Sequence, residues 1–343
     1  MLSGSEWVQG APWGLGDLAA EHLALTSGAG VTDRSGVGRL RITGADALDL
    51  LNRLTTNKLE ELPDGHAALS VLTNADARVI DVLALGAVDG AILCLTSPGR
   101  AQAVIDWLDA YTFGEDVAVV DRSEATRQLT LAGPRAAEVL RAAAVSGLPP
   151  ALGRLAAGTV AGADVVLWRS LTGGAEGYDV IADAAEADSV WEALVGAGAV
   201  PVSAESWDTF RIVNGAPAYG SEFGESTNPL ESRLGGAISE DKGCYTGQEV
   251  IARLLTYGKV QRKLMSATLT GPAEPGADLL ADGSRAGMLT SVAAVPGRGH
   301  VALAMVRMKL ASPGRELEVS GAAGVKAVID EPAYALATEP LEA

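Results

Sequence analysis

The sequence predicts an α+β protein in which two mixed helix-and-strand units precede a small antiparallel β-barrel or sandwich. Up to about Gly198, short runs with strand alternation are interleaved with helical periodicity. From about Lys263 onward helix disappears and short strands are punctuated by Gly-Pro, Pro-Gly and Asp-Gly turns. The 343 residues, 48% apolar and 20% charged, are enough for a sizeable core and two or three domains.

From Val31 to about Val120 the runs RLRIT, ARVIDVLAL and AILCLT read as strands, and Ala45 to Leu54 and Arg100 to Trp107 as helices. Pro63-Asp64-Gly65 and Val88-Asp89-Gly90 supply turns between them. A second unit begins near Gln128 with QLTLAG. It continues into a helix opening at Gly133-Pro134, where proline suits the first turn, and runs to about Gly198. SGLPPALG is a loop within it. Residues 142–199 are rich in Ala and Gly, yet VVLW, YDVIA and SVWEAL keep strand and helix periodicity, so the stretch reads as folded. The C-terminal strands are LMSATLT, AGMLTSV, HVALAMV, ELEVS and VKAVI.

Charge and composition exclude several classes of function. The 43 acidic and 26 basic side chains give a formal charge of −17, which disfavours direct nucleic-acid binding. No apolar run approaches a bilayer span, and the N-terminus, with Glu6 and no basic patch, lacks a signal-peptide pattern; no membrane partner and a cytoplasmic address are expected. Cys94 and Cys244 read as thiols, and His22, His66 and His300 are too scattered for a protein-only metal site.

One stretch concentrates chemistry. Asp241-Lys242-Gly243-Cys244-Tyr245-Thr246-Gly247-Gln248-Glu249 precedes a helical pattern with Val250, Ile251, Leu254 and Leu255 on one face. Thr246 and Glu249 have capping-box spacing, which predicts a helix starting there. Cys244 then lies just upstream of a helix N-terminus and two residues from Lys242, both features that favour a thiolate. Gly243 and Gly247 permit a tight turn or a close approach. A lone cysteine is also a common packing residue, and for Cys94, inside the apolar AILCLT, packing is the reading. Asp81 interrupts the apolar run Val79-Ile80-Asp81-Val82-Leu83 and is open to two readings: a buried functional carboxylate, or the solvent face of an alternating strand. Lys259, Arg262 and Lys263 form a local basic cluster, either a solvated face or a seat for an anionic ligand tail.

KGCYTGQE, followed by Ala252-Arg253, resembles the signature of the YgfZ folate-binding proteins, relatives of the glycine-cleavage aminomethyltransferase (T-protein). Val31-Thr32-Asp33-Arg34-Ser35, ITGADALDLLNRLTTN, LAGPRAAEVL, TNPLESRLG and AGMLTSV resemble the wider superfamily in the same order, so the likeness covers nearly the whole chain. It implies a folate-binding cloverleaf of two α+β domains, residues 1–125 with 200–258 and residues 126–199, plus an antiparallel β-barrel at 259–343. Tetrahydrofolate or a derivative is the implied cofactor. The implied role is that of an accessory protein for iron–sulfur cluster assembly or repair and, through cluster enzymes, tRNA modification, with iron–sulfur proteins or their assembly machinery as partners. Cys244 and Asp81 become the candidate catalytic groups, and Lys242, Gly243, Tyr245, Thr246, Gly247, Gln248, Glu249 and Arg253 shape the motif loop. Asp81, Arg169 and Trp207 become candidate folate contacts.

Departures from the T-protein pattern bear on activity. Asp81 is followed by Val82 where the transferase has paired acids, Ala175 stands in place of a Glu unless Glu176 takes its role, and Trp207 stands in place of a substrate-site Arg. Transfer needs charged groups to orient the pterin and move a proton, so aminomethyl transfer is the alternative reading and a non-catalytic folate scaffold or regulator the third. Trp207 retains a flat ring suited to stacking on a pterin.

Overall fold

The structure, a computed structural model, describes residues 17–334. The N-terminal reading around Glu6 and the last nine residues of the expected barrel range lie outside the described residues.

The chain opens with α1 (Leu18–Ser27), β1 (Gly30–Asp33), β2 (Val37–Thr43), α2 (Ala47–Leu54), β3 (Ala67–Thr73), β4 (Val79–Val88), β5 (Ala91–Pro98), α3 (Ala101–Ala110) and β6 (Ala118–Asp121). It continues through β7 (Thr126–Ala132), α4 (Ala136–Ala142), β8 (Arg154–Val160), β9 (Ala163–Thr172), β10 (Ala175–Asp183), α5 (Ala187–Gly196), β11 (Val200–Pro201), α6 (Ala204–Asn214) and α7 (Gln248–Tyr257). The C-terminal strands are β12 (Arg262–Leu269), β13 (Asp278–Ala281), β14 (Ser284–Val295), β15 (Gly299–Arg307), β16 (Glu316–Val319) and β17 (Lys326–Asp330). They form three sheets: β3-β4-β5-β2-β6, β11-β1-β7-β10-β9-β8, and a closed barrel β12-β15-β14-β13-β16-β17.

Two compact units result. Among the described residues, the first comprises 17–53, Lys58–Ser70 and Asp81–Trp207; the second comprises Leu54–Asn57, Val71–Ile80 and 208–334. This division departs from the boundaries expected at 125, 199 and 258. Gly30–Asp33 does not join the 37–121 sheet: it pairs antiparallel with β7, Gly30 against Ala132, and parallel with β11. The cause is burial, because Val31 completes a core of Leu129, Leu131, Leu167, Val180 and Trp191. Residues 208–258 fall in the same unit as the barrel strands. The α4 helix starts at Ala136, two residues after Pro134, because Gly133 and Pro134 are spent on a turn closed by the Ala136 N–H on the Gly133 carbonyl at 3.0 Å.

In the first unit β4 is buried along nearly its whole length instead of alternating, the pattern of a strand covered on both faces. Gly86 makes the close cover possible, since a Cβ there would stand 2.6 Å from Leu155 Cδ1. Val37, Leu95, Leu155, Trp168 and Ile181 form the adjoining core.

In the second unit inward residues such as Met265, Leu279, Leu289, Val306 and Ile329 alternate with Ala267, Ala302 and Ala327, so large and small side chains together fill a six-stranded barrel. The β14–β15 ladder shifts register between Leu289 and Ser291, a bulge that re-aims a side chain. Ser291 Oγ donates to Glu222 Oε1 at 2.6 Å, Arg211 Nη1 to Glu222 Oε2 at 3.0 Å, and Arg211 Nη2 to Ser291 Oγ at 2.9 Å. Glu222 is fully buried, so its charge is compatible with the fold only while Arg211 answers it. Glu222→Ala removes the buried acceptor of Arg211 Nη1, Ser291 Oγ and the Ala218 N–H, while Arg211 keeps Asp208 at 2.6 Å; it is expected to cost about 1–3 kcal/mol, seen as a lowered thermal unfolding midpoint, and an unchanged midpoint would show that the network adds nothing to stability.

Candidate functional site

The Cys244 loop is built in the second unit against the tip of the β3–β4 hairpin. That tip is itself rigid: Asn74 Oδ1 accepts from the N–H groups of Asp76 and Arg78 at 3.0 and 2.9 Å, and the Ala77 N–H donates to the Asn74 carbonyl at 2.9 Å. Gly247 presses on it at φ +84°, and a Cβ there would sit 2.7 Å from the Asn74 carbonyl oxygen and 3.1 Å from Ala77 Cα. Position 247 therefore demands glycine on two counts, backbone conformation and space. Thr73 Oγ1 donates to the Thr246 carbonyl at 2.7 Å.

The capping box expected of Thr246 and Glu249 does not form. Gly247 is the N-cap of α7 with no side-chain cap, and Glu249 instead takes Arg253 Nη2 at 2.5 Å one turn on. The N-cap position falls to Gly247, which has no side chain to offer, while the Thr246 carbonyl accepts from Thr73 Oγ1. The helix start thus moves to Gln248, four residues past Cys244, whereas the field of a helix terminus acts within its first turn.

Tyr245 is the loop's apolar anchor, buried with Ala77, Ile238 and Ile251. Burial, aided by the Glu240 charge, pushes its hydroxyl up to about 12. Lys242 Nζ lies 5.0 Å over the Tyr245 ring and donates to the carbonyls of Thr55 and Asn57 at 2.8 and 2.6 Å. Two of its hydrogen bonds thus go to backbone oxygens of the segment Thr55–Asn57. Between these anchors Gly243 and Cys244 are exposed, and the thiol stands on the surface of the unit. Gln248 is half-buried, and its N–H donates to the Tyr245 carbonyl at 3.2 Å, closing the loop.

Asp81 belongs to the first unit and is fully buried, which overturns the solvent-face reading: β4 is covered on both sides and has no wet face here. Asp81 Oδ1 accepts from the Val82 N–H at 2.8 Å and Ser97 Oγ at 2.5 Å, and Oδ2 accepts from the Ser97 N–H at 3.1 Å. Burial raises the carboxyl above its ordinary 3.8, opposed by the Ser97 and Val82 hydrogen bonds and the Arg100 charge. Cys94 is fully enclosed, and burial, with the Asp81 charge, pushes its thiol up, so it packs as expected. Ser97 escaped sequence reading; its only signal is the polar pair Thr96-Ser97 ending an apolar strand.

Trp207 is buried in the first unit with the Arg34 guanidinium 5.1 Å from its ring centre. Arg169 Nε donates to Glu176 Oε1 at 2.7 Å, Nη1 donates to the Pro150 carbonyl at 2.9 Å, and the guanidinium lies 5.7 Å from the Tyr178 ring. Glu176 thus serves as the counter-ion of Arg169. In the basic cluster, Arg262 pairs with Glu231 at 3.2 Å and Lys263 with Glu331 at 3.8 Å, so two of its three charges are answered internally. Among the described residues no group of three or more His, Cys, Asp or Glu side chains could hold a metal, and no helix is long and apolar enough to cross a membrane.

Residues 12–242 match the GCVT N-terminal domain, and residues 261–334 match the CAF17 C-terminal beta-barrel domain. An Arabidopsis thaliana chloroplast protein described among the transferases is 32% identical, over 92% of this chain and 74% of its own. The aminomethyltransferase of Moorella thermoacetica is 31% identical over 93% of this chain and 91% of its own. The solved glycine cleavage aminomethyltransferase T of Bartonella henselae superposes with a TM-score of 0.84 over 94% of this chain and 90% of its own, at 23% identity, a likeness of fold.

Since the folded state binds the Asp81 proton more tightly than the unfolded chain, the contribution of this group falls as pH rises from 3.8 through its raised folded value. Asp81→Asn removes that loss. The difference in melting temperature, variant minus wild type, is expected to be more positive at about pH 7 than at about pH 4 by scanning calorimetry; equal differences would contradict a carboxyl raised by burial.

Proposed function

Because the chain belongs to the GCVT family and carries a CAF17-type C-terminal β-barrel, we propose that it is a tetrahydrofolate-binding accessory protein of the YgfZ kind, serving iron–sulfur cluster assembly or repair through the Cys244 thiol. The observation that carries the reading is the anchoring of the motif loop. Lys242, Tyr245, Thr246 and Gly247 are each tied to the second unit, while Gly243 and Cys244 are left exposed. Packing is therefore not the role of this cysteine. An exposed thiol on a preformed loop is placed to meet sulfur or iron on another molecule, in a compartment that keeps thiols reduced. tRNA modification would follow through cluster enzymes.

Folate enters on the strength of the family. Asp81 and Trp207 are enclosed by their own unit and Arg169 is ion-paired, so as placed these three fit a role in shaping the scaffold rather than touching a pterin. The aminomethyltransferase reading draws on similarity to transferases over most of the chain; methylene-tetrahydrofolate formation from an aminomethyl donor would support it.

In a host lacking the gene, Cys244→Ser is expected to lower the activity of an iron–sulfur enzyme after oxidative challenge to the level of the empty strain while leaving tetrahydrofolate titration of the purified protein unchanged. Full complementation by Cys244→Ser would remove the thiol from the function.

A further inference from the structure

We infer that the exposed flank of α7 and the adjoining end of the barrel form a docking surface for an acidic protein, the partner that meets Cys244. The inference rests on the reading of Cys244 as a working thiol and adds the chemistry of what it meets.

The chain carries a net charge of −17, yet no Asp or Glu occurs from Val250 to Ala273 or from Gly283 to Arg315. The fold brings parts of these two segments together. Strand β12 pairs with β15, with Arg262 directly opposite Arg307, and the Met308 N–H donates to the Gln261 carbonyl at 2.9 Å. Two cations facing each other across a ladder repel. Glu231 answers Arg262, but among the described residues no carboxylate pairs with Arg307, Lys309 or Lys259, all three of which are exposed. The Lys259 ammonium lies 5.3 Å over the Tyr257 ring.

Set among these cations are exposed apolar side chains: Tyr257 at 66%, Met308 at 46% and Leu255 at 37%. Tyr, Met and Arg are enriched at protein interfaces, and an aromatic anchor ringed by polar groups is the form their energetic centres take. A polynucleotide suits this surface less well, since the acidic remainder of the molecule repels a phosphate backbone. Helix α7, ten residues and about 15 Å long, runs from the Cys244 loop to Tyr257. A standard interface of about 800 Å² per partner is roughly 30 Å across. A single partner therefore covers both thiol and patch, with its acidic residues on Lys259, Arg307 and Lys309.

The test uses the whole protein and a surrogate partner: a peptide of one cysteine followed by six glutamates, about 20 Å when extended, with its cysteine held as the 2-thiopyridyl disulfide. Attack by the Cys244 sulfur forms a protein–peptide disulfide and releases pyridine-2-thione, whose absorbance gives the rate. A peptide with six serines is the neutral reference. Lys259→Glu/Arg307→Glu/Lys309→Glu is compared with Arg141→Glu/Arg298→Glu/Arg315→Glu, exposed positions elsewhere with the same change in net charge.

The wild type is expected to react faster with the glutamate peptide than with the serine peptide at low salt. The patch variant should lose at least threefold of the glutamate rate with the serine rate unchanged, and the control variant should behave as wild type. Equal rates for the two peptides, or equal losses in both variants, would overturn the inference. So would tRNA retention by the wild type at physiological salt that the patch variant lacks, which assigns the patch to nucleic acid, or a dimer that the patch variant alone dissolves, which assigns it to a second copy. Thione release no faster than from Cys244→Ser with either peptide would instead remove the thiol reading on which the inference stands.

Discussion

At φ +84°, with its α-carbon against the Asn74 carbonyl, Gly247 lets two backbone segments some 170 residues apart touch without an intervening side chain. Much of the arrangement at Cys244 depends on that approach. It fixes the start of α7 one residue later, draws the Thr246 carbonyl onto Thr73, and leaves Tyr245 to fill the space among Ala77, Ile238 and Ile251. With both flanks occupied, the chain between Lys242 and Tyr245 is held outward. The exposure of Cys244 is thus a consequence of how its neighbours are bonded, and ordering of the loop is supplied by folding rather than by a partner.

Buried charge is handled differently in the two units. Asp81 lies in a strand covered on both faces and meets its three hydrogen bonds from Ser97 and Val82; burial outweighs them and raises its carboxyl above the ordinary value. Glu222 has a counter-charge in Arg211, which it shares with Asp208, and a hydroxyl from Ser291. The first arrangement makes proton loss harder, the second answers the charge with a counter-ion, and each depends on partners brought from distant sequence.

The strands from RLRIT to VKAVI and the helix at SVWEAL were legible because each is long enough for burial to impose a period. Helix α1 was not, since Glu21 is buried there to accept from the Ser203 N–H and hydroxyl, placing a charge where an apolar residue would mark the face. Strand β1 was not legible as a strand, because four residues are too short to show a period or which edge they join. The motif loop was visible as residue types, but its mechanics were not: the Thr246–Glu249 spacing promised a cap that Gly247 replaces, and nothing local announces that Lys242 reaches Thr55 and Asn57. Asp81 stood between two readings because alternation distinguishes faces only when one of them is wet. The Ser291 partnership was illegible for a related reason, since a bulge changes which face a residue points to.

The central claim, a loop pinned at its flanks that presents one sulfur to solvent while the other stays enclosed, is tested most directly by alkylating the native protein with a neutral reagent and locating the adduct by mass spectrometry. The account predicts a single adduct on Cys244 at a rate independent of subdenaturing urea, with Cys94 modified only on global unfolding. Labelling of Cys244 that requires unfolding, or labelling of both cysteines together, would contradict it.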